Sequence, residues 1–61
     1  MLVSELKAKI NTKSNFKGLN GEWLPVVKII GKYVVCQLWD KDLHDVITVD
    51  FTINEIEEFS N

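Results

Sequence analysis

The chain contains no arginine, and its 61 residues include a single cysteine, a single histidine and a single proline. Without arginine it lacks the side chain that reads guanine and phosphate through two parallel hydrogen bonds, which argues against sequence-specific recognition of duplex DNA. One cysteine excludes an internal disulfide, and one histidine beside one cysteine leaves few groups for nucleophilic, acid–base or metal chemistry. We therefore expect a protein that is not an enzyme and that binds no metal or cofactor.

Long apolar runs are also missing. No stretch approaches the roughly 20 apolar residues that cross a bilayer, and the N-terminal MLVSELKAK lacks the basic and then apolar order of a secretory signal. The three glycines do not have the spacing of a phosphate-binding loop. We expect a cytoplasmic protein without membrane contact. A chain with 46% hydrophobic and 26% charged residues is typical of one small globular domain, here residues 1–61.

The strongest pattern lies in residues 23–40, WLPVVKIIGKYVVCQLWD, where two β-branched and aromatic runs flank residues 31–32, Gly-Lys. A two-residue connection that begins with glycine is typical of a type II′ β-turn. If this turn closes an uninterrupted hairpin, Val27 pairs with Cys36. One face of the hairpin is then uncharged and should point into the core; it consists of Pro25, Val27, Ile29, Val34, Cys36 and Leu38.

The opposite face of this hairpin mixes polar and apolar side chains. Its apolar residues exceed what a solvated face usually shows, and tryptophan and tyrosine often anchor protein interfaces. The predicted function is that of a small non-catalytic interaction protein, regulatory or inhibitory, that binds a protein partner through this face. Self-association through the same face is left open. The predicted binding residues are Trp39, Tyr33, Leu24, Val35 and Lys28.

Two segments flank the hairpin and complete the predicted α+β fold. Leu2, Val3, Leu6 and Ile10 lie on one side of a helical wheel, which predicts a short amphipathic helix that ends near Asn11. Residues 46–51 alternate between apolar and polar side chains, which predicts a third strand antiparallel to the second. The sequence thus predicts a short N-terminal helix packed on a three-stranded antiparallel meander, followed by a short C-terminal helix.

The C-terminal segment, FTINEIEEFSN, is compatible with two structures. Thr52 and Glu55 have the spacing of a capping box, which predicts a helix over residues 53–59. The alternative is a single helical turn at residues 53–55 followed by a short final strand. In that order of elements the chain resembles the SH3-like and Sm-like small barrels, in which a helical turn precedes the last strand. No family motif accompanies the resemblance, so it implies a fold and no function.

Charge is divided unevenly along the chain. Residues 1–33 contain six lysines and two glutamates, whereas residues 34–61 contain one lysine and seven acidic residues. The two halves either face each other in the folded protein or form a dipolar surface that attracts a charged partner. The basic half supports an alternative function, weak and salt-sensitive nucleic-acid binding. The lysines of this alternative are Lys7, Lys9, Lys13 and Lys17.

The acidic half admits two further interpretations. Its carboxylates could imitate a phosphate backbone towards a basic cleft, although a net charge of −2 is low for such a mimic. Asp40, Asp42, His44 and Asp45 begin like a calcium-binding loop. However, Asp45 replaces the required glycine and Phe51 replaces the final glutamate, so the pattern favours a solvated acidic turn.

Overall fold

The computed structural model describes residues 6–61, which form an antiparallel sheet of five strands without an α-helix. The strands are β1 (Lys7–Ile10), β2 (Trp23–Ile30), β3 (Tyr33–Asp40), β4 (Asp45–Thr52) and β5 (Ile56–Ser60). Their spatial order is β4-β3-β2-β1-β5. The predicted antiparallel hairpins are confirmed, but the α+β fold class is wrong. No helix within residues 6–61 is long and apolar enough to cross a membrane.

The five-stranded sheet divides at β2 into two three-stranded sheets that share this strand. Its first half pairs with β1, which in turn pairs with β5, and its second half pairs with β3, which pairs with β4. Both sheets contribute to a single core, because one cluster of buried side chains draws on four strands. The cluster consists of Ala8, Ile10, Leu24, Val26, Val34, Cys36 and Phe51.

The N-terminal helix is the first prediction that the structure contradicts. Lys7–Ile10 is a strand, while Leu2 and Val3 lie outside the described residues. Within residues 6–10 the apolar side chains alternate with lysines, and this period of two suits a strand as well as the wider spacing suits a helix. Strand β1 lies between β2 and β5 and hydrogen-bonds with both, whereas a helix this short gains little stability on its own.

The predicted turn between β2 and β3 is confirmed. Gly31 has φ of +58°, which a type II′ turn requires at its first central residue. Next to the turn the register is also as predicted, because Ile30 pairs with Tyr33 and Lys28 pairs with Val35.

Beyond Lys28 the register shifts, and the predicted inward face of β2 is wrong. A β-bulge at this point places Val26, instead of Val27, opposite Cys36. One extra residue in a strand turns all the preceding side chains to the other face. Val26 is therefore 1% exposed and Val27 37% exposed. Bulges are common where a strand passes from one sheet to another, as β2 does here.

The C-terminal helix over residues 53–59 is also wrong. In this segment the chain makes a single 3₁₀ turn, Ile53–Glu55, and then forms β5, which is the element order of the alternative; the other 3₁₀ turn of the described residues is Lys17–Leu19. Thr52 and Glu55 do interact as a capping pair, since the Thr52 amide donates to Glu55 Oε1 at 2.9 Å. The capping signal therefore identified where the turn starts but not how long the helical segment is.

A second bulge explains why β5 has a helical spacing in the sequence. Ile56 pairs with Ile10 and Phe59 pairs with Ala8, while the register shifts in the two residues between them. Residues three apart would ordinarily lie on opposite faces of a strand. The bulge brings Ile56 and Phe59 to the same face, opposite two buried residues of β1.

The loop over residues 11–22 is tied to the 3₁₀ turn by a polar network around Thr12, which is buried. The Thr12 amide donates to Asn20 Oδ1 at 2.7 Å, and Asn20 Nδ2 donates back to the Thr12 carbonyl at 2.9 Å. The Thr12 hydroxyl donates to the carboxylate of Glu55. This bond, together with that from the Thr52 amide, lowers the pKa of Glu55.

Candidate functional site

The outer face of the β2–β3–β4 sheet carries the predicted binding residues. Its side chains form cross-strand rows, which are Ile30–Tyr33–Thr52, Lys28–Val35–Asp50, Gln37–Thr48 and Trp39–Val46. Tyr33 and Trp39 lie at opposite ends of β3, about 20 Å apart at the usual rise of an extended strand. Polar rows separate the two aromatic ends, so the face consists of two apolar regions.

The apolar region at Trp39 includes a shallow groove. Trp39 is 57% exposed and Val46, directly opposite on β4, is 48% exposed. Beside them lies an open cavity of about 260 Å³, which we call the Trp39 groove; it is lined by Leu24, Pro25, Gln37, Leu38, Trp39 and Val46. Its lining is apolar except for Gln37. A volume below the roughly 300 Å³ of the smallest ligand pockets suits one or two side chains of a partner better than a cofactor.

The other three predicted binding residues have different surroundings. Leu24 and Val35 are buried, so their predicted exposure is wrong. The bulge in β2 turns Leu24 into the core, where it forms part of the floor of the groove. Val35 does point outward, but it lies between Lys28 and Asp50 in its row. The aliphatic stem of a lysine can cover a small apolar neighbour while its ammonium group stays in water. Lys28 is exposed.

The second apolar region consists of Ile30 and Tyr33, which pair with each other next to the β2–β3 turn. Tyr33 is 43% exposed, and the neighbouring Ile30 is also exposed. The ammonium group of Lys32 lies 5.7 Å from the centre of the Tyr33 ring, within the range of a cation–π contact. This region therefore offers a ring that is already in contact with a cation of the same chain.

The lysines of the nucleic-acid alternative lie on two consecutive segments of the chain. Lys7 and Lys9 lie on β1, and Lys13 and Lys17 lie in the following loop. Lys9 Nζ is 3.8 Å from Glu57 Oε2 of β5 and 5.9 Å from the centre of the Trp23 ring. The oppositely charged halves of the chain thus meet at β1 and β5, which reduces the positive potential that phosphates would encounter there.

The groups that could carry out chemistry are dispersed. Cys36 lies in the core, where burial raises the pKa of its thiol to about 11, whereas His44 is exposed in the β3–β4 turn. In that turn Asp40 Oδ1 accepts hydrogen bonds from the amides of Asp42, at 2.8 Å, and Leu43, at 3.2 Å. Within residues 6–61 no three histidine, cysteine or acidic side chains converge as metal ligands do.

Sequence reasoning missed Val46 and the groove beside it. Pro25 and Leu38, which line the groove, were assigned to the core face. The pairing of Val46 with Trp39 follows from the pairing of Asp40 with Asp45 across a four-residue turn. The acidic turn residues therefore contained a usable signal for Val46, whereas the position of Pro25 depends on the bulge.

No family model, curated protein or solved structure matches the chain. The surface of the protein is consequently what indicates a function. Its distinctive features are an exposed indole beside an apolar groove and an uneven distribution of charge over the strands.

Proposed function

We propose that this protein is a small non-catalytic interaction module of the cytoplasm, which binds a protein partner through the Trp39 groove. The observation that carries the proposal is the exposed Trp39–Val46 pair beside an open apolar groove. Apolar side chains that remain exposed around a concavity are typical of interfaces, and tryptophan is the most enriched anchor.

The exposed indole offers appreciable binding energy. At 57% exposure, and taking about 250 Å² for a whole tryptophan side chain, about 140 Å² remains to be covered by a partner. At about 25 cal/mol per Å², burial of this area contributes about 3.5 kcal/mol. A free energy of this magnitude is typical of a hot-spot residue. A module of 61 residues would act on its partner by occupying part of the partner's surface, in a regulatory or inhibitory manner.

The test compares two tryptophans of the same chain. Trp39→Ala removes the groove side chain, and Trp23→Ala is the matched control, because Trp23 is also exposed but lies in β2 where it pairs with Lys9. We expect proteins captured from the host lysate by the wild type to be captured equally by Trp23→Ala and to be lost with Trp39→Ala. Both variants should keep the wild-type circular dichroism spectrum and melt cooperatively.

The proposal is contradicted if both tryptophan variants lose the same proteins, or if neither does. A Tyr33→Ala variant extends the test to the far end of β3. If the partner contacts the whole outer face, Tyr33→Ala weakens capture as well; if the groove suffices, it has no effect. Nucleic-acid binding is the less favoured function, because the Glu57 carboxylate lies beside the Lys9 ammonium group and lowers the positive potential at β1.

A further inference from the structure

Strand β4 forms one edge of the sheet. One of its sides pairs with β3 along all eight residues, and no strand within residues 6–61 pairs with its other side. A long free edge exposes backbone amides and carbonyls to which another extended chain can add. Which backbone groups remain available therefore decides what this edge can bind.

The outward amides at the two ends of β4 are already used. The Val46 amide donates to Asp45 Oδ1 at 2.7 Å, and the Thr52 amide donates to Glu55 Oε1 at 2.9 Å. Neither amide is therefore directed at β3. Because amides point alternately to the two sides of an antiparallel strand, the amides of Thr48 and Asp50 also point away from β3.

The open part of the edge is thus short and centred on Thr48 and Asp50, both of which are exposed. Between them, the side chain of Val49 lies on the inner face and is only partly covered. An added strand would place one residue opposite Thr48, one opposite Val49 and one opposite Asp50. Its middle residue would contact Val49, and its outer residues would lie beside Thr48 and Asp50.

Charge complementarity indicates which residues such a strand would carry. The two edge strands are both acidic, since β4 contains Asp45 and Asp50 and β5 contains Glu57 and Glu58. Strand β5 pairs with a lysine-bearing strand, β1, in which Lys9 approaches Glu57. Strand β4 has no basic strand beside its free edge within residues 6–61. A second copy of the chain would bring another acidic edge, which like-charge repulsion disfavours.

We propose that the free edge of β4 binds an extended segment of the partner that carries lysine opposite Asp50 and an apolar residue opposite Val49. The segment adds to the sheet as an antiparallel or parallel strand, and it hydrogen-bonds to the amides of Thr48 and Asp50. This inference rests on the proposed function, because it names the chemistry of the segment that the module recognises next to the Trp39 groove.

The test uses the full chain and a blocked hexapeptide of alternating lysine and valine, with the same peptide bearing glutamate in place of lysine as the control. We expect the lysine peptide to bind and the glutamate peptide not to bind. The affinity of the lysine peptide should fall as salt is added. At ten times the dissociation constant this peptide should slow hydrogen exchange of the Thr48 and Asp50 amides about tenfold, because these amides exchange from the unliganded fraction. The Val46 and Thr52 amides should change little.

Charge reversal on the protein gives a second, independent measurement. Asp50→Lys should weaken binding of the lysine peptide about tenfold, since one attraction is replaced by one repulsion. Asp42→Lys makes the same change of charge in the β3–β4 turn, away from the open edge, and should have a smaller effect. Both residues are exposed, so both variants should fold.

Several outcomes overturn the inference. Equal binding of the two peptides, or equal effects of Asp50→Lys and Asp42→Lys, would exclude a charge-selective edge. Protection of the Thr48 and Asp50 amides that rises with protein concentration alone would identify a second copy as the occupant. If partner capture requires Trp39 but the Thr48 amide is never protected from exchange, the proposed function is supported and strand addition at β4 is excluded. If the Thr48 amide is protected by the lysine peptide in Trp39→Ala but partner capture does not require Trp39, strand addition at β4 is supported and binding through the Trp39 groove is excluded.

Discussion

The β-bulge in β2 can be tested with one substitution at two adjacent positions. Val26 and Val27 are the same residue type in the same strand, and the structure buries the first while leaving the second 37% exposed. An uninterrupted hairpin reverses this assignment and places Val27 in the core. Val26→Ala and Val27→Ala therefore distinguish the two registers directly.

The expected difference follows from burial. Val26→Ala removes two buried carbon groups at about 0.8 kcal/mol each and leaves a cavity, for a total loss of about 2 to 3 kcal/mol. Val27→Ala should cost about 1 kcal/mol or less, since its side chain is largely hydrated already. The lower β-propensity of alanine affects both variants similarly, so it largely cancels in the comparison.

Urea denaturation followed by tryptophan fluorescence measures both values. A domain of 61 residues is stable by about 3 to 9 kcal/mol in total, so Val26→Ala removes a large fraction of the stability. Its melting temperature should fall by about 10 to 20 °C, and that of Val27→Ala by about 5 °C. If Val27→Ala is as destabilising as Val26→Ala, or more so, the bulge is absent and the outer face has a different composition.

Two further predictions concern buried or hydrogen-bonded ionisable groups. Burial raises the pKa of the Cys36 thiol to about 11. An aromatic disulfide reagent at mildly alkaline pH should therefore react with this thiol only when urea unfolds the chain. A fast reaction in native buffer would contradict the burial of Cys36. Hydrogen bonds from Thr12 and Thr52 lower the pKa of Glu55 from 4.5, so the folded state binds fewer protons than the unfolded state. The stability from Glu55 is then complete above about pH 4.5 and is lost as the pH falls through the lowered value. Glu55→Gln should destabilise the protein at neutral pH and much less at about pH 3 by urea titration.

Three local signals in the sequence led to correct structure. The Gly31-Lys32 pair predicted a turn, because glycine accepts a positive φ at little cost. The alternation of Ile47, Val49 and Phe51 predicted the third strand of the meander, β4. The spacing of Thr52 and Glu55 predicted a capped turn. In each case the physical cause acts within a few residues, so the sequence contains the whole of it.

The wrong predictions share a different cause. Leu6 and Ile10 fit a helix as well as a strand, and only pairing on both sides of β1 selects the strand. Ile56 and Phe59 have a helical spacing that a bulge makes compatible with β5. A bulge in β2 likewise places Val26, instead of Val27, on the inner face. In all three segments the sequence periodicity was ambiguous, and tertiary contacts resolved it.

Some features of the candidate site were likewise predictable from the sequence, and others depended on tertiary contacts. The exposure of Trp39 and Tyr33 was predictable from the hairpin register, because β3 itself contains no bulge in its pairing with β4. The Trp39 groove was not predictable, since Leu24 and Pro25 reach it only after β2 shifts its register and crosses between the two sheets. The open amides of β4 likewise depend on which strands lie beside it.

Short-range features of the sequence were therefore sufficient to locate the turns, the two strands of the central hairpin and the aromatic side chains of β3. These features follow from backbone preference and from alternation over short distances. Long-range pairing fixes three other features: β1 and β5 form strands, the bulges lie in β2 and β5, and β4 keeps a free edge within residues 6–61. Backbone hydrogen bonds between distant segments must be satisfied together, and that requirement outweighs local spacing wherever the spacing permits two structures.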